Sequence, residues 1–247
     1  MNCSYSDLLA TFLRCTDQKD KTANALKEVA LPLLAGRELF VDMGSGTGDV
    51  AATLLPHFRH SYLVEYDEEN VRKLVKRFNN RNDVTVLHGD INELDTWLSP
   101  DLMLFSYTLG YTGLGLPEPE KLTHRLNLLG RYHQQLRPGG ALAVVDTPSS
   151  GSYQELFDYL AIPVQNEIFQ LCSILKSKVQ TREHSFAVFV RAETEDEMVN
   201  CLRLMTYDDG TSRLDLIPVY RAFCRSLPVE DGKLTFRYET ELLVLLS

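Results

Sequence analysis

One stretch, LFVDMGSGTGDVAATLL (residues 39–55), constrains the fold more than any other. An apolar, strand-like run is followed by glycines at 44, 46 and 48, and a helix-like pattern begins at Asp49. A strand that turns through glycines into a helix is the first half of a βα repeat, and the repeat continues. The first helix pattern, 49–58, is stopped by Pro56. SYLVEY (61–66) reads as a second strand. DEENVRKLVKRF (67–78) reads as a helix capped by Asp67, with Glu68 and Glu69 in its first turn and Val71, Leu74, Val75 and Phe78 on one face. VTVLHGD (84–90) and DLMLFSY (101–107) supply two more strands. Leu122, Leu126, Leu129, Tyr132 and Leu136 stripe a long helix, and LRPGG (136–140) turns the chain into ALAVVD (141–146). Repeated βα units predict a mostly parallel α/β sheet with right-handed crossovers and helices on both faces.

Beyond residue 150 the pattern loosens. Residues 153–178 read as helical, SFAVFVRA (185–192) as a strand, 194–226 as two helices, and LTFRYETELLVLLS (234–247) as a closing strand. Residues 4–34 read as one or two helices. We expect one domain over 1–247, with a helical lid at 1–35, a ligand-binding core at 36–150 and an acceptor-side half at 151–247.

Charge narrows the partners. The chain has 25 Lys and Arg against 34 Asp and Glu, a net charge of −9 that repels phosphate backbones, so no nucleic-acid substrate is expected. The apolar runs, such as LLVLL at 242–246, are too short to span a bilayer, and no membrane partner is expected. Cys3, Cys15, Cys172, Cys201 and Cys224 are odd in number and form no C-x-x-C pair, as free thiols of a reducing, cytoplasmic compartment would. The start, MNCSYSDLLA, lacks the basic and apolar regions of a secretory signal. The six histidines show no paired ligand spacing, and no metal site is expected. No G-x-S-x-G elbow anchors a hydrolase triad.

The glycine loop lies where an open α/β sheet binds its ligand, at the carboxyl end of the first strand. It is not a dinucleotide fingerprint, because Asp49 replaces the third glycine of G-x-G-x-x-G and Asp42 precedes the loop; it is not a P-loop either. Two carboxylates repel a pyrophosphate but suit a ligand with a cationic centre. Further acids end the next strands. Glu65, about twenty residues past the loop, is placed to take ribose hydroxyls, and Asp90 to accept from an adenine amine.

VDMGSGTGD, LVEYDEE, LHGDINEL and LRPGGALAVVD, in this order and spacing over residues 36–147, resemble the class I S-adenosylmethionine-dependent methyltransferases. The two ends of the chain, SYSDLLATFLRCTDQKD and SSGSYQELFDYL, more distantly resemble histamine N-methyltransferase and related small-molecule enzymes. The resemblance implies a Rossmann-like seven-stranded sheet whose last strand is antiparallel. It implies S-adenosylmethionine as cofactor and methyl transfer to a nitrogen or oxygen of a small molecule. Matched position by position, Asp42, Gly44, Ser45, Gly46 and Gly48 surround the methionine part, Glu65 and the following Tyr66 the ribose side, Asp90 and Ile91 the adenine edge, and Ser106 the reactive end.

Methyl transfer is an in-line displacement governed by alignment and exclusion of water, so no catalytic base need be visible, and none is assigned. The segment FSYTLGYTGLGLPEPE after the fourth strand has no N-P-P-[YF] tetrapeptide, no Pro-Cys pair, and no Asp between 102 and 117. Those absences count against amide, nucleobase and polyamine chemistry as the resemblance implies it. Tyr107 and Tyr111 either pack on the acceptor or plug the top of the sheet. Tyr5 and Arg14 fall on the expected lid. Where the resemblance places an amine-facing acid, this chain has Arg14, which either serves an acidic acceptor or is a surface residue of an amphipathic helix. Two other readings stay open, a non-catalytic module that binds cofactor or a partner protein and a methyltransferase of proteins or peptides. Oligomeric state is not expressed in the sequence.

Overall fold

The structure is a computed structural model that describes residues 4–94, 99–162, 168–206 and 214–247. Two compact units divide the chain. One comprises Thr22–Asp146, Asn166–Ser185 and Glu241–Ser247; the other comprises Met1–Lys21, Thr147–Gln165 and Phe186–Thr240.

The first unit is built on parallel strands β1 (Leu39–Met43), β2 (His60–Glu65), β3 (Val84–His88), β4 (Leu102–Ser106) and β5 (Ala141–Asp146). β1, β4 and β5 are buried along nearly their whole length, and each reads as an unbroken apolar run, the signature of a strand covered on both faces. The register Phe40↔Ser61 and Phe40↔Leu102 places β1 between β2 and β4, at the reversal of strand order. Two long strands, β6 (Thr181–Ala192) and β8 (Lys233–Leu246), complete the order β3-β2-β1-β4-β5-β8-β6. β8 runs antiparallel to β5. The expected seven-stranded order and antiparallel closing strand are present.

An additional short strand, β7 (Val229–Glu230), folds back on the start of β8 as a hairpin. The left-handed Asp231 and Gly232 make its turn, an Asp-Gly signal that was legible in the sequence and not read there.

Helices follow the sequence closely in this unit. α3 (Asp49–Leu54) gives way to a 3₁₀ turn at Leu55–His57, where Pro56 lacks the donor to continue. α4 (Glu68–Phe78) is capped by Asp67, which accepts from the Asn70 N–H at 2.8 Å. Its buried face is Leu74 and Phe78. Val75 is 52% exposed, contrary to expectation, because one residue of rotation carries it past the stripe onto the solvent side. α5 (Glu118–Gln134) lays Leu129 and Tyr132 into a core shared with Val41, Met43, Met103, Phe105 and Val144. α7 (Ile168–Lys176) adds Leu171 and Leu175 to the same core.

The second unit has its own core. α1 (Tyr5–Cys15), α6 (Gly151–Tyr159), α8 (Glu195–Met205) and α9 (Ile217–Cys224) bury Phe12, Leu156, Leu202, Tyr220 and Phe223 with Val188, Phe236 and Tyr238 of β6 and β8. Ser4 and Asp7 form a reciprocal capping box at the start of α1. α2 (Gln18–Ala25) follows, with one π-turn and one 3₁₀ turn before β1. No described helix is long and apolar enough to cross a membrane.

Candidate functional site

The carboxyl ends of β1 to β4 assemble one site in the first unit. The glycine loop leaves β1 and is pinned to β2 at once, since the N–H groups of Gly44 and Ser45 both donate to the Val64 carbonyl at 2.9 Å. Gly46 N–H donates to Glu65 Oε2 at 2.7 Å. The other carboxylate oxygen, Glu65 Oε1, accepts from the N–H groups of Tyr66 at 3.0 Å and Asp67 at 2.8 Å. Glu65 is only 8% exposed, so this buried charge is held by three backbone donors, and it fixes the loop tip relative to the end of β2.

Gly46 and Gly48 serve different ends. Both are left-handed, with φ of 56° and 76°. A Cβ on Gly48 would stand 2.7 Å from Leu74 and 2.8 Å from Phe78, so that glycine lets α4 pack against the loop. A Cβ on Gly46 would meet nothing within 4 Å, so its bare side faces open space. Gly46→Ala is therefore expected to cost only the left-handed strain, about 1–2 kcal/mol, while weakening ligand binding about tenfold or more through the added methyl. Gly48→Ala is expected to lower stability by more than Gly46→Ala. Paired urea melts and ligand titrations of the two variants check this; equal ligand affinity for wild type and Gly46→Ala would refute the cradle.

Asp42 is 3% exposed within β1, and its carbonyl accepts from Ser45 Oγ at 3.0 Å. Asp49, read from the sequence as the second carboxylate beside the ligand, faces elsewhere. It pairs with Arg77 of α4 and accepts from Thr47 Oγ1, while Arg77 also donates to the Thr47 carbonyl at 2.7 Å. An arginine about thirty residues away along the chain meets this charge, which no local spacing announces.

Past β3, Asp90 Oδ1 accepts from both the N–H and the side-chain amide of Asn92, at 2.8 and 2.7 Å. His124 Nε2 lies 2.8 Å from Asn92 Oδ1. The Ile91 side chain is in the core, and its carbonyl accepts from Tyr132 Oη at 2.6 Å and Arg131 at 3.2 Å. Among the described residues, Asp90 Oδ2 and the Ile91 N–H make no hydrogen bond. An acceptor and a donor on successive residues match the amine and ring nitrogen of an adenine edge. Tyr66 is 71% exposed beside Glu65, its carbonyl 2.9 Å from His88 Nε2.

At the end of β4, Ser106 Oγ is buried without a partner among the described residues. Tyr107 holds a left-handed φ of 56°, strained for a residue with a Cβ, and its hydroxyl lies 3.2 Å from Thr22 Oγ1. Tyr111 is 61% exposed. The segment that carries it is bolted down by Arg125, a buried residue of α5 that donates to the carbonyls of Gly110 at 3.0 Å and Thr112 at 3.3 Å. Arg125 was missed, although a cation on the apolar stripe of α5, between Leu122 and Leu129, was the signal.

In the second unit, Arg14 of α1 pairs with Glu197 of α8 at 2.8 Å. Tyr5 opens α1, and its side chain lies outside the described residues. Among the described residues no three His, Cys, Asp or Glu side chains gather as a metal ligand set.

No family model matches the sequence, and no curated protein matches it. Solved structures match nearly end to end. The N-methyltransferase NodS of Bradyrhizobium japonicum, in complex with S-adenosyl-L-homocysteine, superposes with a TM-score of 0.57 at 13% identity, covering 98% of this chain and 96% of NodS. An S-adenosylmethionine-dependent methyltransferase of Clostridium acetobutylicum gives 0.54 at 13% identity over 98% of each chain. The YcgJ protein of Bacillus subtilis gives 0.60 at 13% identity over 90% and 97%. The chain has the S-adenosylmethionine-dependent methyltransferase fold. At these identities the likeness is one of fold, and the chemistry rests on the residues of the site. In the methyltransferase fold of this chain, the loop, Glu65, Asp90 and Ser106 all fall at the carboxyl ends of β1 to β4 or just beyond, where such a sheet receives ligands.

Proposed function

We propose that this chain is an S-adenosylmethionine-dependent methyltransferase that methylates a nitrogen or oxygen of a small-molecule acceptor. The observation that carries the reading is the buried Glu65 carboxylate, tied to the glycine loop through the Gly46 N–H and backed by the open Asp90–Ile91 pair one strand away.

The residues fit the cofactor. Glu65 has one of its four acceptor sites left for a ribose hydroxyl. Asp90 Oδ2 and the Ile91 N–H suit adenine, Tyr66 offers an exposed aromatic face, and the bare side of Gly46 admits close approach. Asp42, Gly44, Ser45 and Gly48 shape the methionine end, and the unpartnered Ser106 hydroxyl awaits a polar group at the reactive end. When bound, S-adenosylmethionine supplies an electrophilic methyl on a sulfonium.

The chain contributes alignment and shelter from water. Asn92, held by His124, turns Asp90 so that Oδ2 is free to accept. Arg125 and the Tyr107–Thr22 contact hold the segment after β4, on which Tyr107 and Tyr111 are the proposed acceptor contacts. Arg14 is engaged by Glu197, and the expectation of an acidic acceptor rests on its sequence position alone. The net charge of −9 favours a small acceptor over nucleic acid, and the free thiols fit a cytoplasmic setting.

Thermal melts in S-adenosylmethionine, S-adenosylhomocysteine and NAD test the cofactor. Ligand at about a hundred times Kd stabilises by about 2.7 kcal/mol, which raises Tm by roughly 5–10 °C in a chain of this size. Both sulfur ligands should shift the melt and NAD should not; a shift with NAD alone would end the reading. S-adenosylhomocysteine release in the presence of a metabolite panel then identifies the acceptor. Binding without release for any acceptor would make the chain a cofactor-binding module.

A further inference from the structure

Three residues on one face of α5 grip the turn that follows β3. His124, Arg131 and Tyr132 are spaced i, i+7 and i+8, so their side chains leave the helix on the same side. Tyr132 Oη donates to the Ile91 carbonyl at 2.6 Å, and Arg131 Nη2 donates to the carbonyls of Ile91 and Asn92 at 3.2 and 3.1 Å. His124 Nε2 meets Asn92 Oδ1 at 2.8 Å. Gly113, left-handed with φ of 68°, passes so close to the imidazole that a Cβ there would stand 3.2 Å from His124 Cδ2.

The proton directions in this chain of bonds are fixed. Asp90 Oδ1 is a carboxylate oxygen, so the Asn92 side chain turns its amide N–H toward it and its own oxygen toward His124. His124 then donates, through a proton on Nε2. Asp90 Oδ1 also accepts the backbone N–H of Asn92 at 2.8 Å, and that N–H belongs to the peptide whose carbonyl takes Tyr132 and Arg131. Donors on a carbonyl polarise the N–H of the same peptide, which strengthens its bond to the carboxylate. Both Asn92 donors engage Oδ1, which leaves Oδ2 as an acceptor held in one direction next to the Ile91 N–H.

Building on S-adenosylmethionine as the cofactor, we propose that His124 is a positioning residue that, through Asn92, makes the nucleoside site select a 6-aminopurine over a 6-oxopurine. An adenine presents an N–H at N6 and a lone pair at N1, which match the Asp90 acceptor and the Ile91 donor. A hypoxanthine presents a lone pair at O6 and an N–H at N1, so acceptor meets acceptor and donor meets donor. The discrimination holds only while Asp90 and Asn92 keep their orientation. Without the His124 donor the Asn92 amide is held from one side alone, Asp90 and Asn92 turn as a pair, and the fixed acceptor is lost.

The test compares S-adenosylhomocysteine with S-inosylhomocysteine, its 6-oxo counterpart, by calorimetric titration. Wild type should bind the adenine ligand at least about a hundredfold more tightly. His124→Phe keeps a ring and removes the donor; it should lower that ratio about tenfold, through weaker binding of the adenine ligand. His124→Gln places an amide N–H where Nε2 stood and should keep the wild-type ratio. Asn92→Ala should lower the ratio at least as far, and adding His124→Phe to it should change nothing more, because His124 acts through Asn92. Urea melts establish that each variant is folded at the titration temperature. Equal losses for the two ligands in His124→Phe would overturn the proposal, as would an unchanged ratio in Asn92→Ala or a further fall in the double variant. Wild type that binds both ligands alike would remove the selectivity and leave the cofactor standing; wild type that binds neither would remove the cofactor and the selectivity together.

Discussion

Glu65→Gln should weaken S-adenosylmethionine binding by about a hundredfold and also destabilise the folded chain by about 1–3 kcal/mol. The two effects have one origin. Glu65 Oε1 accepts from Tyr66 and Asp67, and Oε2 accepts from Gly46. A glutamine places its single oxygen on one side only. Facing Tyr66 and Asp67, it satisfies two donors and turns its own amide hydrogens toward the Gly46 N–H, donor against donor. The loop tip then loses its tie to β2, and the remaining acceptor site for ribose becomes a donor. Charge-assisted hydrogen bonds carry about 1.5–3 kcal/mol, so losing the ribose bond alone predicts roughly a ten- to hundredfold loss, and displacement of the loop adds to it. Urea denaturation measures the first effect and calorimetric titration the second. A variant that is destabilised yet binds the cofactor as wild type does would show that Glu65 only builds the loop.

Much of this was legible in the sequence because a parallel α/β sheet converts chain order into position. Once β1 is recognised from LFVDM, the carboxyl end of each later parallel strand must lie at the same rim, and Glu65 and Ser106 at the ends of β2 and β4, with Asp90 two residues past β3, follow without any knowledge of packing. Burial of whole strands likewise follows from their unbroken apolar runs. What escaped is carried by side chains that meet across long separations and leave no periodic trace. Asp49 finds Arg77, Asn92 finds His124, and Arg125 reaches back to Gly110 and Thr112. Each corrects or completes the candidate site, since Asp49 is taken up by Arg77, Asp90 gains an orienting partner, and the segment after β4 gains a clamp. β6 begins at Thr181, earlier than the expected Ser185, because its first residues, TREH, are partly solvated and lack the apolar alternation that marks the rest. The LRPGG turn, given only a structural role from sequence, has a partner that makes that role specific.

That partner is Asp101, and its replacement should produce a large loss of stability with no loss of cofactor affinity in the protein that remains folded. Asp101 is fully buried at the amino end of β4. Its Oδ2 accepts from the N–H groups of Glu38 and Leu39 at 2.7 and 2.8 Å, which starts β1 in register beside β4. Its Oδ1 stands 3.4 Å from Arg137 Nη1, an ion pair without hydrogen-bond geometry that draws in the LRPGG turn. Asp101→Ala abandons two buried backbone donors and the partner of a partly buried guanidinium, for an expected cost of about 3–5 kcal/mol, or roughly 10 °C in Tm. Asp101→Asn keeps an oxygen for Glu38 and Leu39 but sets an amide donor against Arg137, and should cost about 1–3 kcal/mol. The difference between the two variants measures the backbone bonds, and the asparagine value measures the charge. Because Asp101 lies at the end of β4 opposite Ser106, S-adenosylmethionine titrated well below the lowered Tm should bind both variants as it binds wild type. A cost below about 1 kcal/mol for Asp101→Ala would mean that solvent replaces these bonds, and that the amino ends of the strands are held by their ladders alone.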